Sequence, residues 1–235
     1  MCTETGGVND EGTIFKIKPD GTGFLKIHDF ADSFGRYPDG SLLLDGAYLY
    51  GMTANGGEFG EGTIFKIKPD GTGFSLLQEF SGSGGGRNPY GSLLKEGAFF
   101  YGMTSGGGST NDGVVFQIMP DGSGYSEILD MEASTTGSNP YGSLISDGTF
   151  LYGMANSGGN DNIGTIFKIK PDGSGFVKML DMVEAPNGSY PSGDLIYDGT
   201  FLYGLTSGGG AQDNGTYFKI KTDGTGFLKL LDFDG

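Results

Sequence analysis

The sequence predicts an all-β fold: a β-propeller of four-stranded antiparallel blades, about 51 residues per repeat, with five blades of which one is incomplete. Three observations carry that prediction. The chain repeats itself about every 51 residues, its apolar runs are short and bounded by glycine turns, and those runs are apolar on both faces.

The repeat is direct. GTIFKI begins at Gly12 and at Gly62, becomes GVVFQI at Gly113, returns as GTIFKI at Gly164 and ends as GTYFKI at Gly215. Its central residues Phe15, Phe65, Phe116, Phe167 and Phe218 are spaced by 50, 51, 51 and 51 residues. YGM or a close variant starts at Tyr50, Tyr101, Tyr152 and Tyr203, and Asp-Gly recurs at Asp20, Asp70, Asp121, Asp172 and Asp223. We therefore read one repeat domain over 1–235, phased by its third strand as 12–61, 62–112, 113–163, 164–214 and a partial 215–235.

Within one unit the strands follow in order. SLLL (Ser41 to Leu44) is the first, and Asp45-Gly46 is a two-residue turn signal. AYLYGMT (Ala47 to Thr53) is the second, and the loop ANGGEFGEG leads to the third, TIFKIK (Thr63 to Lys68). Pro69-Asp70-Gly71-Thr72-Gly73 turns the chain into the fourth, FSLLQEF (Phe74 to Phe80). In the third strand Thr13, Phe15 and Ile17 share one face and Ile14, Lys16 and Lys18 the other; in the fourth, Leu25, Ile27 and Asp29 oppose Phe24, Lys26, His28 and Phe30. Sheets this small and apolar on both sides must press against neighbours, and radial stacking does so. Glycine interrupts every candidate helix. A β-solenoid, with rungs of 20 to 30 residues and parallel pairing, does not fit the hairpin turns. The Tyr-Gly pairs read as packing positions, the glycine letting a neighbour approach the backbone.

The ends are uneven. Met1-Cys2-Thr3 aligns with Gly51-Met52-Thr53, so the chain opens inside a second strand and closes after a fourth, at Leu231-Asp232-Phe233. The expectation is a fragment of a longer array or an unusual assembly unit.

Composition narrows function. The 29 acidic residues against 14 basic ones give a net charge of -15, which excludes nucleic acid and anionic membrane as partners. A single cysteine, Cys2, rules out an internal disulfide. No signal peptide and no apolar run of membrane-spanning length is present, so an export signal is expected outside this stretch.

By the usual propeller arrangement the first strand lines the channel, and the second-to-third and fourth-to-first loops share one rim. These loops vary, whereas the opposite rim carries near-invariant turns such as PDGTG. Varied loops on a rigid scaffold are where recognition sits. The candidate ligand-binding residues are Arg36, Tyr37, Arg87, Asn88, Tyr90, Asn111, Asp112, Asn139, Tyr141, Asn160, Asp161, Tyr190, Asp213 and Asn214. Tyrosine beside amides and carboxylates suits a sugar, stacking on its apolar face and bonding its hydroxyls. The only arginines, Arg36 and Arg87, suit a carboxylate, while the Asn, Asp and Gly residues are also ordinary turn formers.

No catalytic residue is predicted. The single histidine, His28, matches Gln78, Leu129, Leu180 and Leu231, which marks a packing position. No Cys/His pair or acidic pair stands out. No cofactor is predicted either, and GGNDNIG is the one oxygen-dense segment where a structural calcium would find ligands, without the spacing of a known calcium loop.

The unit NPYGSLLKEGAFFYGMTSGGG, continuing through GVVFQIMPDGSGY, resembles the bacterial tandem repeats called GloVer repeats, as do SNPYGSLISDGTFLYGMANSGG and GTIFKIKPDGSGF. The resemblance covers nearly the whole chain. It implies a secreted or cell-surface location and supplies no catalytic residues. The strand order is also similar to the blade of tachylectin-type five-bladed lectins, which implies sugar binding. The leading expectation is thus a non-catalytic secreted or surface module whose varied rim meets a polysaccharide or a surface protein. Self-assembly of copies into a filament or coat is the alternative, and a glycan-active enzyme the third.

Overall fold

Glycine-bounded runs of five or six residues can only make short strands, and short strands joined by tight turns pair with their sequence neighbours. The computed structural model, which describes residues 1–183 and 187–234, has this arrangement in blades 1–4, while the first two strands of blade 5 run to nine and eight residues. Blade 1 holds β1 (Cys2–Thr3), β2 (Thr13–Lys16) and β3 (Leu25–Asp29). Blade 2 holds β4 (Leu43–Asp45), β5 (Tyr48–Thr53), β6 (Thr63–Ile67) and β7 (Ser75–Glu79). Blade 3 holds β8 (Leu94–Glu96), β9 (Phe99–Thr104), β10 (Val114–Ile118) and β11 (Ser126–Asp130). Blade 4 holds β12 (Ile145–Ser146), β13 (Leu151–Ala155), β14 (Thr165–Ile169) and β15 (Val177–Asp181). Blade 5 holds β16 (Ser189–Tyr197), β17 (Phe201–Gly208), β18 (Thr216–Lys221) and β19 (Leu228–Asp232).

Each sheet is an antiparallel meander of consecutive strands, four with four strands and blade 1 with three. The predicted propeller class and its incomplete blade are what the structure contains. Among the described residues no helix is long and apolar enough to cross a membrane.

Each side of a blade meets a different neighbour. Ile14 and Phe30 of blade 1 pack on Phe65 and Ile67 of blade 2. Met52 and Ile64 then meet Phe116 and Ile118; Met103 and Val115 meet Phe167 and Ile169; Met154 and Ile166 meet Phe218 and Ile220. The third-strand Ile or Val therefore faces the following blade, and the Phe beside it faces the preceding one. Each such Phe, fully buried in blades 2–5, contributes about 1.5–3 kcal/mol of transfer free energy. The Tyr-Gly glycine works as expected: a Cβ on Gly102 would lie 2.5 Å from Cζ of Phe116.

The fourth strand departs from the simple alternation. Ile14 pairs with His28 but Phe15 pairs with Lys26, so Ile27 bulges out of register. The same slip places Leu77, Ile128, Met179 and Leu230 on bulges. Ile27 therefore does not share a regular face with Leu25 and Asp29. The bulge has a use. The PDGTG turn of the next blade settles on it, a Cβ at Gly71 lying 2.9 Å from the Ile27 carbonyl oxygen and one at Gly173 lying 2.9 Å from that of Ile128. Within each of these turns the aspartate caps its own backbone, as Asp70 Oδ1 does by accepting from the Thr72 amide at 2.9 Å and its hydroxyl at 2.8 Å.

The two varied loop sets do share a rim. The amides of Tyr37, Asn88, Asn139 and Tyr190 donate to the carbonyls of Glu11, Glu61, Asp112 and Ile163 at 2.7–3.0 Å, tying each fourth-to-first loop to the preceding blade.

Candidate functional site

On that rim every inter-blade loop reaches a proline: Pro38, Pro89, Pro140 or Pro191. The residues before them, Tyr37, Asn88, Asn139 and Tyr190, have φ of 58°, 52°, 53° and 56°. Left-handed backbone in front of a rigid ring turns the chain sharply toward the axis. Of the residues after these prolines, Asp39, Tyr90 and Tyr141 come to the axial side, whereas Ser192 pairs with Leu205 in blade 5; each is followed by a glycine and then Ser41, Ser92, Ser143 or Asp194.

These last four form a directional ladder. The Ser41 amide donates to Ser92 Oγ at 2.7 Å, the Ser92 amide to Ser143 Oγ at 2.8 Å, and the Ser143 amide to Asp194 Oδ1 at 2.6 Å. Side chains larger than glycine's would break the approach, since a Cβ on Gly91 would meet the Gly142 carbonyl oxygen. The result is an axial cavity of about 160 Å³ whose wall includes Asp39, Tyr90, Tyr141 and Asp194.

Tyr90 and Tyr141 meet edge to face with ring centroids 5.4 Å apart, and Tyr141 is 41% exposed. Burial pushes the Tyr90 phenol above its ordinary pKa, helped by Tyr141 and by the carboxylates of Asp39 and Glu4. Partial burial and the Glu4 charge likewise raise the Asp39 carboxyl. Two phenols and a carboxylate therefore stand together. Among the described residues neither phenol nor the Asp39 carboxylate has a hydrogen-bond partner in the protein, which leaves them to a ligand's hydroxyls.

The other sequence-predicted residues fall elsewhere. Asn88 Nδ2 donates to the Ala54 carbonyl at 2.9 Å and Asn139 Nδ2 to that of Ser105 at 3.0 Å, bracing adjacent loops. Asn111 Oδ1 accepts from the Gly107 amide and Asp213 Oδ1 from that of Gly209, both residues having positive φ. Asp112 Oδ2 accepts from the Ala133 amide at 2.9 Å. Asn160 is held by Asp181, through its amide at 3.2 Å and its Nδ2 at 3.1 Å. Asp161 and Asn214 stand exposed on the same loops, and Tyr190 is exposed on β16 of blade 5. Arg36 lies over the Tyr37 ring at 5.3 Å and 3.4 Å from Asp32, while Arg87 packs against Gly106 in the neighbouring blade, so each guanidinium stays with its own loops.

Of the fourteen candidates only Tyr90 and Tyr141 come together around the axis. Sequence reasoning missed Asp39, Ser92, Ser143 and Asp194. Their signal was positional: Asp39 occupies the slot of Tyr90 and Tyr141, directly after the proline.

The model of the Gloeobacter/Verrucomicrobia repeat matches residues 2–99 and 76–235. No curated protein matches the chain. Among solved structures the chain is similar to one in the nidogen/laminin complex, at 14% identity and a TM-score of 0.61 over 94% of this chain and 75% of that one. It also resembles a peptidase from Mycobacterium tuberculosis described as puromycin-hydrolyzing, at 15% identity and a TM-score of 0.58 over 94% of this chain. The tricorn protease matches at 13% identity and a TM-score of 0.55 over all of it. The chain spans only 33% and 21% of those last two proteins. At these identities the likeness is one of fold.

Proposed function

The chain belongs to the Gloeobacter/Verrucomicrobia repeat family, and from that premise we propose that it is a non-catalytic secreted or cell-surface binding module that takes carbohydrate at the axial mouth of its varied rim. The observation that carries this reading is the Tyr90–Tyr141 pair beside Asp39, with their polar atoms free of partners among the described residues. An edge-to-face tyrosine pair offers one open ring face for the apolar side of a pyranose. The two phenols and the carboxylate bond its hydroxyls. The ladder through Ser92 and Ser143 holds the loops that carry these groups, so the site is set before a ligand arrives. Net charge of -15 favours neutral or amino sugars over uronic acids.

Titration calorimetry against neutral and N-acetylated oligosaccharides tests this. Saturable binding is expected, with a loss of about tenfold or more in affinity for Tyr141→Ala and for Asp39→Asn. Absence of saturable binding to any sugar, or binding indifferent to both changes, would sink the reading.

A further inference from the structure

The contacts that join consecutive blades are made four times, and each of the two outer blades keeps half of a fifth set. On blade 5 the positions that face a following blade are open. Leu205 is 46% exposed where Met52, Met103 and Met154 are at most 4%, and Ile196 is 68% exposed above it. With Tyr203 and Tyr217 they wall an apolar hollow of about 470 Å³. On blade 1 the positions that face a preceding blade are open in the same way, Phe15 and Ile17 among them.

Backbone marks agree with the side chains. The turn glycines of blades 2–5 sit on the bulge of the preceding blade, but a Cβ at Gly21 of blade 1 would meet nothing within 4 Å. At the axis Gly40, Gly91 and Gly142 each abut the next loop, whereas Gly193 abuts nothing. A third observation concerns β1. It is an edge strand, and beside it, between Cys2, Phe15 and Leu42, lies a hollow of about 650 Å³ where blade 1 has no counterpart of β4.

We propose that the sector between blade 5 and blade 1 is a docking site for one further repeat of this family, a single blade followed by the inner strand that completes blade 1. The internal contacts define the partner. Its third strand brings a Phe and an Ile to Leu205 and Tyr217, as Phe218 and Ile220 come to Met154 and Ile166. Its second strand brings a Tyr-Gly-Met segment to Phe15 and Ile17. A whole second copy is the wrong shape. Its last sheet stops at β19 and offers no further inner strand to lie beside β1, whereas a single blade followed by such a strand covers both open faces. This inference is independent of the axial sugar site.

The probe is a polypeptide of residues 81–147, which is blade 3 with the inner strand of blade 4, mixed with the full chain and followed by sedimentation and thermal melting. A one-to-one complex and a higher Tm are expected. Leu205→Lys and Ile17→Lys should each weaken the complex by about tenfold or more. Their own melting should stay unchanged, because both side chains are already exposed. A chain with the same segment fused after Asp234 makes the contact intramolecular and should melt several degrees higher. No complex together with no rise in the fused chain overturns the proposal. Self-association of the intact chain through Leu205 and Ile17 overturns it as well, by naming a second copy as the occupant.

Discussion

Residues 12–24 and 62–74 are the same thirteen amino acids, GTIFKIKPDGTGF, yet they live in different surroundings. Ile14 and Ile64 are both fully buried, because each faces a following blade. Ile17 is 42% exposed and Ile67 is not exposed at all; Phe24 is 64% exposed while Phe74 is half-buried under His28. One face of the strand is covered in both copies and the other only in the second. Burial here is a property of position in the ring, which identical local sequence cannot encode.

The largest test of that comparison exchanges the same side chain in both copies. Phe65→Ala should cost about 3–5 kcal/mol, the range for emptying a buried aromatic site, and Phe15→Ala less than half as much, both by denaturant unfolding. Equal losses would show that blade 1 is covered in solution. A smaller effect separates two turns. Gly71→Ala and Gly21→Ala share the strain of positive φ, at 88° and 82°, but only the first meets a neighbouring carbonyl. Gly71→Ala should therefore be the worse by about 1 kcal/mol, and equal effects would remove the turn-on-bulge contact from the account.

The smallest effect is a pH dependence at the first blade interface. His28 stacks on Phe74 at 4.3 Å, and its Nε2 is buried without a partner among the described residues. Burial lowers its pKa below the ordinary imidazole value, with Asp29 opposing. The folded state then binds its proton less readily than the unfolded chain does. Stability at this site is full above the unfolded pKa and falls as pH drops through it toward the folded one. His28→Leu, which copies Leu129 and Leu180, should flatten the change in melting temperature between about pH 7 and 5. An unchanged slope would place the titration elsewhere.

The five repeats, their strand order and the partial first blade were legible because they rest on spacing: Phe15 to Phe218 mark the third strands without help from tertiary contacts. The bulge at Ile27 was not, since Leu25, Ile27 and Phe30 are all apolar and alternation cannot show which residue slips. The axial site was legible in half. Tyr90 and Tyr141 stand out as aromatics in a loop, but Ser92 and Ser143 look like turn serines until the ring brings their hydroxyls to the amides of the neighbouring loops. The loop amides misled for the converse reason. In GGNDNIG the turn position with φ of 58° belongs to Asn162, whose Oδ1 takes the Gly158 amide, and not to Asn160 or Asp161. Composition shows that such loops are rich in oxygen, but only the folded backbone decides which oxygens are already spent.

The seating of each PDGTG turn on the bulge of its predecessor has a consequence for how such a chain can change length. Each of blades 2–5 checks its fit against the bulge carbonyl of the blade before it, so duplication or loss of an entire unit brings equivalent surfaces together. Deleting a single residue within a turn would instead carry the glycine off that oxygen and spoil the junction. The molecule is modular at the scale of the unit and intolerant below it.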